Sequence, residues 1–158
     1  MNNEYHFFYK SKLSQWHIVD FTDKNGVQYN CCEQYMMYQK AMLFKDEETG
    51  LKILNEKNPY NHQQLGRLVK NYNQTLWDES KYGIVYDGNY LRFTQSKPCW
   101  ELLDATGTKM LVEASPVDKV WGIGLGIDDP DRLDPAKWKG QNLLGKVLSH
   151  VRGEIRKL

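Results

Sequence analysis

Asn30-Cys31-Cys32-Glu33-Gln34-Tyr35-Met36-Met37-Tyr38-Gln39-Lys40-Ala41-Met42-Leu43-Phe44 is the stretch that decides the fold of this chain. It contains no glycine or proline, and the next residue of either kind is Gly50. Asn30 is a favourable N-cap, and Glu33, three residues later, completes the pattern of a capping box. The sequence therefore predicts a helix of about three to four turns that begins at Asn30.

Two charged residues of this helix share a face with apolar side chains. At about 100° per residue, Glu33, Met37, Lys40 and Phe44 fall on one stripe. A helix that is apolar nearly all round is normally buried, and charges are rarely buried without a partner or a function. Two interpretations remain open. Either the pair is functional, or Glu33 only caps the helix and the methylene chain of Lys40 carries its ammonium group to the solvent.

The composition indicates one globular domain over residues 1–158. With 41% hydrophobic residues the chain can build a core, and its formal net charge is +1, from 21 basic and 20 acidic residues. This balance gives no reason to expect general coating of nucleic acid or of an anionic membrane, although a local basic cleft stays compatible with it.

The three cysteines indicate a reducing environment. Cys31 and Cys32 are adjacent, Cys99 is distant, and neither the cysteines nor the four histidines have the spacing of a metal site. The first residues do not have the basic start and apolar run that predict a signal peptide, and no apolar run has the length of a membrane span. We therefore expect a cytoplasmic protein, or one in another reducing compartment, with no membrane partner, no metal and no cofactor.

Periodicity and turn residues predict the remaining elements. Strands are expected at 5–9, on either side of a turn at 24–26, and at 109–113. Helices are expected at 46–56, from Pro59 to Tyr72 with Gly66-Arg67 inside, and at 75–94, 99–105 and 142–156. Residues 118–135 are predicted to be a loop.

Two further features could bind a ligand. Gly122, Gly124 and Gly126 allow close backbone approach, and Trp121 beside them could present its indole to a base or sugar, or simply pack in a turn. Their spacing is not that of a dinucleotide-binding motif. Arg67 could hold a phosphate with its guanidinium, or be an ordinary surface charge.

The order of several short motifs resembles that of the NADAR family, the YbiA-like N-glycosidases associated with NAD and ADP-ribose. Each motif alone is weak, but the ordered set covers about nine-tenths of the chain. The motifs are Leu13-Ser14-Gln15-Trp16, Cys32-Glu33-Gln34-Tyr35-Met36-Met37 with Lys40-Ala41, Gly66-Arg67, Trp77, Leu102-Leu103 with Thr106-Gly107, Leu111-Val112-Glu113, Asp118 with Trp121-Gly122-Ile123-Gly124, and Asn142-Leu143-Leu144-Gly145.

This resemblance implies an α+β fold, a mainly helical single domain with a few short strands. It also implies a hydrolase that cleaves an N-glycosidic bond to ribose, without a cofactor. Family activities include removal of ADP-ribose from guanine in DNA and cleavage of ribosylamino-pyrimidine intermediates of riboflavin synthesis. Many members have Ser-Asn-Phe where this chain has Ser14-Gln15-Trp16, and Glu-His-Tyr where it has Glu33-Gln34-Tyr35, which is a subfamily pattern.

The resemblance also implies roles for individual residues. Glu33 would stabilise the positive charge on the sugar or activate water, and Lys40 would attack the sugar if partly neutral. Asp118 would orient a ribose hydroxyl or assist proton transfer. The expected substrate-binding residues are Ser14, Gln15, Trp16, Arg67, Trp121, Gly122, Gly124 and Asn142.

The first function hypothesis is removal of ADP-ribose from modified guanine, so that the expected partners are an ADP-ribose or ribose-phosphate ligand and ADP-ribosylated DNA. The same reaction on a riboflavin intermediate is the sister hypothesis. A non-catalytic reader of ADP-ribose is the alternative from another class, and a charged pair on one apolar stripe disfavours it, because binding alone does not require that pair.

Overall fold

The computed structural model describes residues 4–158 and consists mainly of helices. The strands are β1 (Tyr5–Phe8), β2 (Phe21–Thr22), β3 (Gln28–Tyr29) and β4 (Met110–Glu113). The helices are α1 (Cys32–Leu43), α2 (Glu47–Asn55), α3 (Pro59–Gly66), α4 (Gln74–Gln95), α5 (Lys97–Asp104) and α6 (Leu143–Arg156). Two short 3₁₀ helices, Pro130–Leu133 and Pro135–Lys137, interrupt the loop before α6. The predicted mainly helical α+β fold with a few short strands is confirmed.

The chain divides into two compact units, which we call the terminal unit (residues 4–14 and 97–158) and the helical unit (residues 15–96). In the terminal unit, β1 pairs in parallel with β4, with Tyr5 opposite Met110 and Phe8 opposite Glu113. Helix α6 packs on β4, and α5 packs on α6. Because parallel strands cannot be joined by a tight turn, this pairing unites two distant segments of the chain.

Helix α1 is the centre of the helical unit, where it packs against α2, α3 and α4. Two glycines permit this close packing. A Cβ at Gly66 would lie 1.9 Å from Sδ of Met37, and a Cβ at Gly88 would lie 2.6 Å from the ring of Tyr35. The β2–β3 hairpin adds Phe21 and Tyr29 to the core around Tyr35.

The N-cap of α1 is Cys31, so the prediction that Asn30 caps this helix is wrong. The Cys31 side chain accepts a hydrogen bond from the backbone N–H of Gln34, and Gln34 Oε1 accepts one from the backbone N–H of Asn30 at 2.7 Å. The Asn30 amide instead donates to the carbonyl of Lys57 at 2.8 Å. A tertiary contact has thus displaced the local cap by one residue.

The predicted continuation of α3 to Tyr72 is also wrong, because the helix ends at Gly66 and Arg67 is its C-cap. The chain then turns towards the end of α1. The backbone N–H of Lys70 donates to Asp46 Oδ2 at 2.9 Å, and Asn71 has the left-handed φ of 62°. These contacts end the helical periodicity that Leu68 and Tyr72 indicated in the sequence.

Candidate active site

Glu33 and Lys40 occupy opposite ends of α1. Glu33 lies in the first turn with only 4% of its surface exposed, and its backbone N–H donates to the carbonyl of Gln15 at 2.9 Å. Lys40 lies in the last turn and is half-buried. The helix rises by about 10 Å between them, so two long side chains on one stripe can reach a common ligand.

The charges around Lys40 connect three of the predicted site residues. Burial lowers the pKa of Lys40 below its ordinary value of 10.5, the Glu33 carboxylate opposes this, and the Arg67 guanidinium adds to it. A lowered pKa increases the fraction of neutral amine, which is the nucleophilic form. The Glu33 carboxylate and the Arg67 guanidinium therefore act in opposite directions on the pKa of Lys40.

Two aromatic rings flank the Lys40 side chain. Its Nζ lies 4.8 Å from the ring centroid of Tyr72 and 5.4 Å from that of Trp77. Trp77 is buried in the first turn of α4, whereas Tyr72 is 44% exposed. Neither ring is among the site residues predicted from the sequence. Tyr72 had no signal, because the turn after Arg67 is what brings it over Lys40.

Gln15 is a second buried polar group in the helical unit, with 8% of its surface exposed. Its Oε1 accepts a hydrogen bond from Asn89 Nδ2 at 2.9 Å. Its Nε2 is buried and has no hydrogen-bond partner among residues 4–158. A buried donor without an acceptor is costly, so this amide group is a candidate to bind an oxygen of a ligand.

Trp16 and Arg67 are both exposed. Trp16 meets Tyr60 edge-on, with the ring centroids 6.4 Å apart. Arg67 follows the last residue of α3 and is exposed, and its contact with a phosphate stays a prediction. Ser14 belongs to the terminal unit, where its backbone N–H donates to the carbonyl of Ser11 at 3.0 Å.

Asp118 and the glycine-rich segment form one loop of the terminal unit. Asp118 Oδ1 accepts from the backbone N–H groups of Val120 and Trp121 at 2.9 and 2.8 Å, so this carboxylate organises the turn that presents the indole. A Cβ at Gly122 would lie 3.0 Å from two backbone oxygens, and Gly124 has the left-handed φ of 71°. Packing within the loop is thus enough to require both glycines. Their contact with substrate, like the catalytic role of Asp118, stays a prediction.

The side chain of Asn142 forms hydrogen bonds within the terminal unit. It lies at the N-cap of α6 in the left-handed conformation but makes no side-chain cap bond. Its Oδ1 accepts from the backbone N–H of Glu113, and its Nδ2 donates to the carbonyl of Leu111, both at 3.0 Å. Both ends of the side-chain amide are thus bonded to β4, and a contact between Asn142 and the substrate stays a prediction.

Within each unit the predicted residues are brought together: Gln15, Glu33, Lys40 and Arg67 around α1, and Asp118, Trp121, Gly122 and Gly124 in one loop. Among residues 4–158, no three His, Cys, Asp or Glu side chains form a group that could hold a metal ion. No helix in the same range has the length and apolarity to cross a membrane.

Comparison with known proteins places the chain in a family. The sequence profile described as the NADAR domain matches residues 5–156 and so extends over both units. An N-glycosidase of Acanthamoeba polyphaga mimivirus is 45% identical over 146 residues, which cover 90% of this chain and 86% of that protein. An N-glycosidase of Nostoc punctiforme is 33% identical over 126 residues, covering 80% of this chain and 74% of that protein.

Two more distant likenesses complete the comparison. The chloroplastic riboflavin biosynthesis protein PYRR of Zea mays is 27% identical over 149 residues, which cover 88% of this chain but only 22% of that protein. The NMR structure of the Escherichia coli protein YbiA superposes with a TM-score of 0.79 at 23% identity, covering 99% of this chain and 88% of that one. That structure shares the fold. From the profile and the relatives together, the chain belongs to the NADAR family.

Proposed function

We propose that this protein is an N-glycosidase that hydrolyses an N-glycosidic bond to ribose, and that its substrate is guanine carrying ADP-ribose, in DNA or as a nucleotide. Family membership and the two relatives named N-glycosidases support the reaction class. The observation that carries the proposal is the placement of a buried carboxylate, Glu33, and a half-buried amine, Lys40, on one stripe of a single helix.

Glu33 suits a reaction that builds positive charge on a sugar. As the bond between C1″ and the base nitrogen breaks, the electron pair leaves with the base and the ribose becomes cation-like. A carboxylate that is mostly shielded from water stabilises this charge more strongly than an exposed one. Glu33 can also take a proton from the attacking water, so that the hydroxyl adds to C1″ while the proton is returned to the departing base.

Lys40 offers a covalent route to the same products. Its neutral amine attacks C1″, the base leaves with the electron pair and gains a proton, and the amine loses one. The electron pair on the nitrogen then breaks the bond between C1″ and the ring oxygen, and this oxygen takes a proton from the solvent. The product is a protonated Schiff base between Lys40 and the opened sugar. Water hydrolyses this species, which releases the sugar and restores the amine. The lowered pKa of Lys40 favours the first step.

The remaining candidates suit the rest of the ligand. Arg67 presents an exposed guanidinium to a phosphate, and Gln15 presents an unpaired amide donor to an oxygen of the sugar or base. Trp16 can stack on a base. For Asp118 and Trp121, on the loop of the terminal unit, the roles that the family resemblance implies stay predictions.

The test is incubation with a DNA strand that carries ADP-ribose on one guanine, analysed by mass spectrometry, with borohydride present in a parallel reaction. We expect unmodified guanine and free ADP-ribose, and in the parallel reaction a reduced sugar adduct on Lys40. Recovery of intact substrate would overturn the proposed substrate, and products without an adduct would overturn the covalent route.

A phosphorylated ribosylamino-pyrimidine is the second candidate substrate, because the Zea mays relative is named for riboflavin biosynthesis. The two substrates give products of different mass, so parallel incubations under identical conditions separate them. If neither is cleaved while ADP-ribose binds, the protein is a reader of the nucleotide instead of an enzyme.

A further inference from the structure

The ring of Tyr72 is held over Lys40 by contacts that do not involve Lys40. Tyr72 packs edge-on against Phe44, the C-cap residue of α1, with ring centroids 5.4 Å apart. Asn71, just before it, donates from Nδ2 to the carbonyl of Phe44 at 3.4 Å. Lys70 donates its backbone N–H to Asp46, which is itself the N-cap of α2. The turn between α3 and α4 is therefore fastened to the end of α1.

Trp77 provides a second aromatic ring close to Lys40 Nζ. Helix α4 begins at Gln74, and its Asn73 cap holds the first turn in which Trp77 is buried. Lys40 Nζ lies within about 6 Å of both ring centroids, the range in which an aromatic face attracts a cation. Lys40 thus has an aromatic pair, Tyr72 and Trp77, on two separate elements.

Burial and the aromatic pair act on Lys40 in opposite directions. Burial favours the neutral amine, which is needed for attack, whereas aromatic faces favour a positive charge at the same place. The protonated Schiff base of the covalent route carries its positive charge on this nitrogen. A site that partly shields Lys40 from water and presents two aromatic faces can therefore favour loss of a proton from Lys40 and still stabilise the charged intermediate.

We propose that Tyr72 is a positioning residue that holds the side-chain nitrogen of Lys40 through its aromatic face and stabilises the cationic intermediate formed there. The part concerning the intermediate rests on the proposed function, but the hold on Lys40 does not. The other charges that act on Lys40 are Glu33 and Arg67, and Asp78 acts on Tyr72. All three stay in place in the variants below.

The experiment is a titration of Lys40 by NMR, using protein with ¹³C at the lysine Cε and the Lys40→Met variant to assign the signal. Tyr72 is replaced by phenylalanine and by phenylalanines with one, two or three ring fluorines, which withdraw electrons from the face at nearly constant size. We expect the pKa of Lys40 to stay near the wild-type value in Tyr72→Phe. It should then fall stepwise with fluorination, by about half a unit to one unit in total.

Two further variants test the aromatic face of Tyr72 and provide a control. Tyr72→Leu keeps an apolar cover but removes the aromatic face, and its Lys40 pKa should fall as in the trifluorinated protein. Tyr90→Leu, which removes a ring stacked on Tyr86 in the same unit, should leave Lys40 unchanged. Equal pKa values across the fluorinated series would overturn the proposal. Because the titration needs no turnover, it remains informative even if the protein cleaves neither substrate.

The intermediate is tested separately with the substrate that is cleaved. The yield of borohydride-trapped adduct per turnover should fall severalfold from Tyr72→Phe to the trifluorinated protein. If the adduct yield stays constant while the pKa of Lys40 changes, Tyr72 acts on the free amine of Lys40 alone. Its proposed role at the intermediate is then overturned.

Discussion

Asn142 Oδ1 accepts a hydrogen bond from the backbone N–H of Glu113 at 3.0 Å, and thereby joins the start of α6 to β4. The other end of the same amide donates to Leu111, so the side chain pairs with β4 much as a neighbouring strand would. Asn142→Ala should lower the free energy of unfolding by about 2–4 kcal/mol, because it removes two hydrogen bonds between the buried side chain and the backbone of β4. Urea unfolding measures this, with the exposed Gln141→Ala as the control. Equal stability of the two variants would contradict the role of the amide.

Two glycines of α6 provide a matched pair. A Cβ at Gly145 would lie 2.0 Å from the carbonyl oxygen of Leu111, whereas a Cβ at Gly153 would meet no atom within 4 Å. Gly145→Ala should therefore destabilise the protein by about 3 kcal/mol or more. Gly153→Ala should stabilise it by about 0.5–1 kcal/mol through helix propensity. Thermal unfolding of both proteins is the measurement, and shifts of the same sign would show that the close contact at Gly145 is relieved without cost.

The proposed chemistry predicts that Glu33→Gln and Lys40→Ala each abolish base release while the fold stays intact. Loss of a group that transfers protons or stabilises charge lowers kcat by about 10²- to 10⁴-fold. Single-turnover kinetics measures the loss, and circular dichroism checks the fold. Lys52→Ala is the control, because Lys52 is a lysine of the same unit that forms an exposed pair with Glu48. Full activity in either test variant removes that residue from the mechanism.

Gln15→Glu should weaken binding of ADP-ribose about tenfold. The substitution keeps an oxygen that accepts the hydrogen bond from Asn89 but replaces the unpaired Nε2 donor. Loss of one hydrogen bond to a ligand lowers the affinity by about this factor. Calorimetric titration measures Kd, with Gln28→Glu on the exposed side of β3 as the charge-matched control. The same Kd in both variants would mean that the ligand does not use this donor.

His62 predicts a loss of stability in mild acid. Its Nε2 must carry the proton, since it donates to the carbonyl of Glu56 at 2.6 Å, so its Nδ1 accepts from the Cys31 thiol at 3.6 Å. Burial lowers the pKa of His62 below its ordinary value of 6.5. The unfolded chain therefore binds a proton more readily than the folded one, and stability is lost as the pH falls from about 6.5 towards the folded pKa.

Urea unfolding between pH 7.5 and 5.5 tests this sign. His62→Gln should be less stable at every pH but should lose stability less steeply below pH 6.5. The pKa of His6 is also lowered by burial, but His6 is present in both proteins and cancels in the comparison. An identical slope in the two proteins would contradict the assignment.

Most helices could be predicted because their determinants are local. The absence of glycine and proline after Asn30 predicted α1. Pro59 predicted the start of α3, and the periodicity of residues 75–94 predicted α4. The errors arose where a tertiary contact competed with a local preference. Asn30 bonds to Lys57 instead of capping α1, and the chain after Arg67 turns towards Asp46 instead of continuing its helix.

The sequence by itself determined that Glu33 and Lys40 lie on one face of a mostly buried helix, because helical geometry sets that relation within a few residues. Only the tertiary structure decided that Tyr72 covers Lys40, that Gln15 leaves a buried donor unpaired beside Asn89, and that the Asn142 amide serves β4. Each of these relations joins residues about 30 or more positions apart. Their geometry depends on how whole elements pack, which no local pattern of residues encodes.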